Sequence, residues 1–163
     1  MNKEILRNIC LDKVNQARRK MEAKDMNYME LAKVAATGST CLRRKVGAVI
    51  VKDGKAVSYG YNGAPVGCSL CETTGCIRQK MNVPSGERHE LCRAIHAEQK
   101  ALIKATESVK GAELYCTTFP CVICAKLLIE AGISKIYYEE GYADNLSDQM
   151  LAESSVKVVR YTY

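Results

Sequence analysis

The chain has 163 residues, 47% of them hydrophobic, and a formal net charge of +6, which suits one globular domain around a single core. No apolar run approaches the roughly 20 residues of a membrane span, and the charged start Met1-Asn2-Lys3-Glu4 lacks the apolar stretch of a signal peptide, so the expected location is cytoplasmic. Nine cysteines in that setting read as metal ligands and reduced thiols rather than a disulfide framework, and the positive charge favours an anionic partner without separating nucleotide from nucleic acid.

In chain order, a polar, basic helix is expected over residues 1–26, with Ile5, Ile9, Val14 and Met21 on one side and a solvated Arg18-Arg19-Lys20 run. It reads as an extension to a domain spanning 27–163. Tyr28, Leu31, Ala32 and Ala35 have helical spacing, and Gly38 is a natural stop. Val46–Val51 and Ala56–Tyr61 are β-rich and flank Lys52-Asp53-Gly54-Lys55, whose Asp-Gly pair supplies the turn of an antiparallel hairpin. Residues 62–92 lack a sustained period apart from a short helix near Ile77 to Met81, and a loop of that length needs a function or an internal tether. A helix over Ala94–Thr106, a strand over Ala112–Thr117, a helix over Cys121–Ala131, a strand over Ile133–Tyr138, a helix over Asn145–Glu153 and a strand over Val156–Val159 follow. The pattern predicts an α/β protein with a mixed five-stranded sheet covered by helices.

Two short motifs carry the chemistry. His96-Ala97-Glu98 offers an imidazole nitrogen, and Pro120-Cys121-Val122-Ile123-Cys124 offers two thiolates, which leaves the fourth corner of a tetrahedral zinc open for water, as hydrolytic sites require. Cys121 and Cys124 fall at a helix N-terminus, where peptide dipoles favour negative charge. Glu98, two residues past the histidine, is placed as a general acid and base. A second cluster, Cys71, Cys76, His89 and Cys92, supplies four closed ligands for a structural zinc, whose binding would order the insertion at about 62–92. Cys10, Cys68 and Cys116 fall outside both sets.

With Val46-Gly47-Ala48-Val49-Ile50-Val51 and Gly60-Tyr61-Asn62-Gly63-Ala64-Pro65, these motifs resemble the deoxycytidylate branch of the cytidine and deoxycytidylate deaminase family. H-x-E followed by P-C-x-x-C is the signature of zinc-dependent nucleobase deaminases. The resemblance implies the cytidine-deaminase-like three-layer fold, one catalytic and one structural zinc, and hydrolysis of dCMP to dUMP and ammonia. It also implies that Asn62 contacts the sugar, that the Ala97 backbone helps recognise the base, that Tyr142 lies near the substrate, and that Cys41 is an alternative ligand of the second zinc. A homo-oligomer, often a hexamer, with dCTP and dTTP as effectors belongs to the same implication. For the phosphate, Arg43, Arg44, Lys45, Arg88 and Arg93 lie near segments expected to converge on the cleft. A tRNA adenosine deaminase shares both zinc motifs, but the Gly60–Gly63 segment and the insertion stand against it. A non-catalytic zinc module binding nucleic acid would not need Glu98, and a riboflavin-pathway deaminase would carry a reductase domain.

Overall fold

The computed structural model describes residues 3–21, 27–141 and 144–162. Helices α1 (Lys3–Met21) and α2 (Tyr28–Ala36) precede strands β1 (Gly47–Lys52) and β2 (Lys55–Tyr61). The hairpin between them turns at Asp53 and Gly54, both at positive φ, 49° and 71°, the geometry whose twist matches the flanking strands. Short helices α3 (Cys71–Thr74) and α4 (Ile77–Lys80) and a 3₁₀ turn at His89–Leu91 break up the long insertion. Then come α5 (Ala97–Lys104), β3 (Glu113–Thr118), α6 (Val122–Glu130), β4 (Lys135–Glu140), α7 (Asn145–Glu153) and β5 (Lys157–Arg160).

The five strands form one sheet in the order β2-β1-β3-β4-β5. Strand β1 is antiparallel to both neighbours, while β3, β4 and β5 run parallel, so α6 and α7 serve as the crossovers that parallel pairing demands. Side chains alternate across β1. Ala48 and Ile50 join Ala97 and Ala101 of α5, Ala125 and Leu128 of α6 and Leu151 of α7 on one face, and Val49 and Val51 join Met29, Leu31, Ala32 and Ala35 of α2 on the other. This is the mixed, helix-covered sheet expected from the pattern, in the three-layer arrangement that the resemblance implied.

Local departures have local causes. Val14 is buried, but Ile9 is 40% exposed and Cys10 takes the inward place, because Cys10 and Val14 are one helical turn apart and together face the α2 side of the sheet. The side chains of Ile5, Met21 and the Arg18-Arg19-Lys20 run lie outside the described residues. Helix α5 starts at Ala97 rather than Ala94, since Ile95 is held in a two-bond bridge with Gly63 (3.1 and 3.0 Å). Pro120 precedes the N-cap residue of α6, Cys121, instead of opening the helix. Among the described residues no helix is long and apolar enough to cross a membrane.

Two glycines set how closely the helices lie on the sheet. A Cβ on Gly47 would stand 1.9 Å from the Ala32 carbonyl oxygen, and one on Gly60 would stand 2.1 Å from that of Ala97 and 2.6 Å from the Ala101 nitrogen. The Ser58 hydroxyl donates to the Ala101 carbonyl at 2.6 Å, so α5 rests on β2 with almost nothing between the two backbones. Gly60→Ala is therefore expected to destabilise the protein by at least about 1–3 kcal/mol, the scale of overpacking. Gly141→Ala, which meets nothing within 4 Å, should stay within about 0.5 kcal/mol. Equal urea midpoints for the two variants would contradict the close approach.

Candidate active site

Helices α5 and α6 bring their N-termini together. His96 is the N-cap residue of α5 and Cys121 that of α6, and Gln99 Oε1 accepts from the His96 backbone N–H at 2.9 Å. The sulfurs of Cys121 and Cys124 each lie 3.4 Å from His96 Nδ1, and all three ligand atoms fall within 4.8 Å of one another. Tetrahedral zinc with Zn–N near 2.0–2.1 Å and Zn–S near 2.3 Å has N···S edges of about 3.5 Å. The donors thus stand at nearly the spacing such a metal needs, and the residues fit it.

The electrostatics agree with that donor set. The Cys121 thiol is drawn down to about 4 by the hydrogen bond from Cys124, against its burial and with help from His96. Burial disfavours a charged His96, but the Cys121 and Cys92 thiols and the Glu98 carboxylate outweigh it and hold the imidazole at about 10. Metal binding would release the protons that these donors carry. Glu98 is buried, 4% exposed, and desolvation pushes its carboxyl up, while the His96 charge pulls it down.

The helix carrying the cysteines is fixed from α7. Asp144 accepts from the Ser147 N–H at 3.0 Å with one oxygen and from the Val122 N–H at 2.8 Å with the other, capping two helices at once. The fully buried Ser147 hydroxyl donates to the Pro120 carbonyl at 2.7 Å. Neither role is visible in the sequence, because each depends on α7 returning to the start of α6. Tyr142 lies outside the described residues.

Asn62 is buried and organises the loop before β1. Its carbonyl oxygen accepts from the Ser39 hydroxyl (2.6 Å) and the Val46 N–H (2.8 Å), and its amide donates to the Arg44 carbonyl (2.8 Å). It lines the same cavity as His96, Ala97, Glu98 and Cys121. Of the basic candidates, Arg43, Arg44 and Arg93 line this cavity. Lys45, between Arg44 and Val46 just before β1, does not, and Arg88 instead pairs with Glu90. Arg78, which the sequence did not single out, does line it.

Cys71, Cys76 and Cys92 of the insertion gather with Cys41 in the cavity wall. Burial chiefly raises the Cys71 thiol, and the charges of Cys41, Cys76 and Cys92 raise it further, so these four are neighbours. His96 in turn lowers the Cys92 thiol, against its burial. His89 packs edge-on against His96 with ring centroids 5.2 Å apart, which sets it beside the three-donor set. Among the described residues only His96, Cys121 and Cys124 close to ligand distance. Cys10 and Cys116 are buried packing residues, and Cys68 is exposed.

The chain belongs to the cytidine and deoxycytidylate deaminase family, whose zinc-binding region matches residues 22–140. It is 34% identical to a deoxycytidylate deaminase of Schizosaccharomyces pombe, covering 84% of this chain and 44% of that protein. It is 39% identical to a deoxycytidylate deaminase of Mycobacterium phage D29, covering 70% of this chain and 92% of the phage protein. A crystal structure of the dCMP deaminase from cyanophage S-TIM5 in complex with dCMP and dUMP aligns with a TM-score of 0.67 at 34% identity, over 82% of this chain and 93% of that one. The chain spans under half the length of the yeast relatives it matches, 44% of the S. pombe protein and 45% of one from Saccharomyces cerevisiae.

Two outcomes test this geometry. Metal analysis of His96→Ala should return one zinc fewer per chain than the parent, and an equal count would remove the proposed ligand set. Lys100, whose ammonium sits 5.0 Å from the Tyr61 ring centre and 3.5 Å from the Ala64 carbonyl, is lowered to about 8 by burial and the nearby Lys104 charge. A depressed lysine means that the folded protein binds fewer protons than the unfolded chain between about pH 8 and 10.4, so stability rises with pH across that window. The unfolding free energy of the parent relative to Lys100→Met should therefore climb from pH 8 to 10; a flat difference would contradict the burial.

Proposed function

We propose that this chain is a zinc enzyme that hydrolyses dCMP to dUMP and ammonia, supplying dUMP for dTMP synthesis. The observation that carries the reading is a buried carboxyl, Glu98, beside a three-donor metal set in a cavity walled by arginines. Similarity to named deoxycytidylate deaminases along most of the chain supports the choice of substrate. Zinc held by His96, Cys121 and Cys124 would lower the pKa of a water in its open position.

Glu98 takes the proton of the attacking water and delivers it to the ring nitrogen as oxygen adds to C4, then takes the proton of the new C4 hydroxyl and passes it to the amino group as the C4–N bond breaks and the carbonyl forms. Burial suits it to both halves of that task, since a raised carboxyl pKa holds a proton more readily near neutral pH. Water is consumed, ammonia leaves, and the carboxyl returns to its starting state. The Ala97 backbone, at the first residue of α5, recognises the base. Asn62 has two amide hydrogens, one of them used on Arg44, and the other serves the sugar. Arg43, Arg44 and Arg93 at the cavity mouth attract the phosphate.

A second, structural zinc belongs to the same proposal. Its ligands come from Cys71, Cys76 and Cys92 with His89 or Cys41, and the position of His89 against His96 favours the all-thiol set. Assembly as a homo-oligomer, a hexamer, control by dCTP and dTTP, a cytoplasmic location, and a division into an extension over 1–26 and a deaminase domain over 27–163 complete the reading.

Ammonia release should be measured on dCMP, CMP, deoxycytidine, dCTP and a tRNA anticodon stem-loop. Strong preference for dCMP is expected; turnover of the stem-loop with indifference to dCMP would contradict the proposal in favour of a tRNA adenosine deaminase. Glu98→Gln should keep its zinc and lose about 10²- to 10⁴-fold in kcat, the usual contribution of a proton carrier. Activity within about tenfold of the parent would remove Glu98 from that role.

A further inference from the structure

Arg78 is the anomaly of the cavity. It stands on the four-residue helix α4 inside the insertion and is 8% exposed, whereas Arg43, Arg44 and Arg93 in the same cavity are exposed. Its Nη2 donates to the Pro84 carbonyl at 3.2 Å, and its buried Nε has no hydrogen-bond partner among the described residues. No carboxylate of the described residues forms an ion pair with it. A guanidinium stays charged at any pH a protein survives, and a buried charge is costly unless it is paired. It lines the cavity together with His89, Cys92, His96 and Glu98.

We propose that Arg78 is the inner anchor for the 5′-phosphate of the nucleotide, an assignment that rests on the dCMP reaction proposed above. Its unused donor is already desolvated, so a phosphate oxygen gains a charge-assisted bond without displacing a well-hydrated side chain. The exposed arginines steer the anion inward but are screened by water and salt. Arg78 therefore sets the preference for nucleotide over nucleoside: deoxycytidine leaves its guanidinium buried and unpaired, and a site built around a polar partner rejects the ligand that lacks it.

The alternative is that Arg78 only offsets thiolate charge in the insertion, and the test separates the two. In zinc-loaded full-length protein, Arg78→Gln should lower kcat/KM on dCMP by about tenfold to a hundredfold, with deoxycytidine turnover within about twofold of the parent and zinc content unchanged. Inorganic phosphate should raise the Tm of the parent and not of the variant. An equal loss on dCMP and deoxycytidine, or a loss of zinc with activity, makes Arg78 structural and overturns the assignment while leaving the dCMP reading intact. If the parent ignores dCMP, that reading fails, and the phosphate response of parent against variant still decides whether Arg78 binds the anion. Should Arg78→Gln not fold, Arg78→Lys keeps the charge without the fork. It is expected to raise KM for dCMP alone, and a matching change on deoxycytidine would overturn the assignment.

Discussion

The site depends on a bare contact between α5 and β2. Because Gly60 has no side chain, the Ala97 carbonyl and Ala101 nitrogen approach the strand more closely than any Cβ would permit, and this lowers the start of α5 onto the sheet. His96 is the N-cap residue of that helix and Glu98 its second residue, so one backbone approach positions both a donor of the three-residue metal set and the buried carboxyl beside it. The Gly63–Ile95 bridge fixes the chain just before the helix, and the Asp144 and Ser147 bonds fix α6 from the other side. A three-donor site with an open position tolerates little looseness, since its ligands are drawn from two helices joined only through the sheet.

What could be read from the sequence was local. The Asp53-Gly54 turn, the alternating faces of β1 and the His-x-Glu and Cys-x-x-Cys spacings are set by residues a few positions apart, and the strand and helix order followed from them. What could not be read depended on distant segments meeting. Ile9 and Cys10 differ in hydrophobicity in the wrong direction to reveal that Cys10 faces inward; only the position of α2 decides it. His89 has a zinc ligand's spacing to Cys92, and only the meeting of the insertion with the start of α5 sets its ring edge-on to His96. Lys45 and Arg78 make the same point for charge. Lys45 sits beside a motif and misses the cavity, whereas Arg78 lies in an unpatterned stretch and is buried in its wall.

The insertion thus does more than tether itself. It supplies a wall of thiols, a histidine against the metal ligand and one desolvated arginine, all facing a carboxyl whose own burial raises its proton affinity. Burial acts on both ends of the cavity: it readies Glu98 to carry a proton, and it leaves Arg78 in need of an anion. On the reading proposed above, a nucleoside monophosphate would satisfy both ends at once, with its base at the Glu98 end and its dianion at the other.

The most direct measurement is a crystal structure of zinc-loaded Glu98→Gln protein soaked with dCMP, in which turnover is slowed enough to trap the substrate. The account predicts zinc held by His96, Cys121 and Cys124, the amino-bearing edge of the base turned toward it, and the phosphate within hydrogen-bond distance of Arg78. A zinc closed by a fourth protein ligand, or a nucleotide bound outside this cavity, would contradict it.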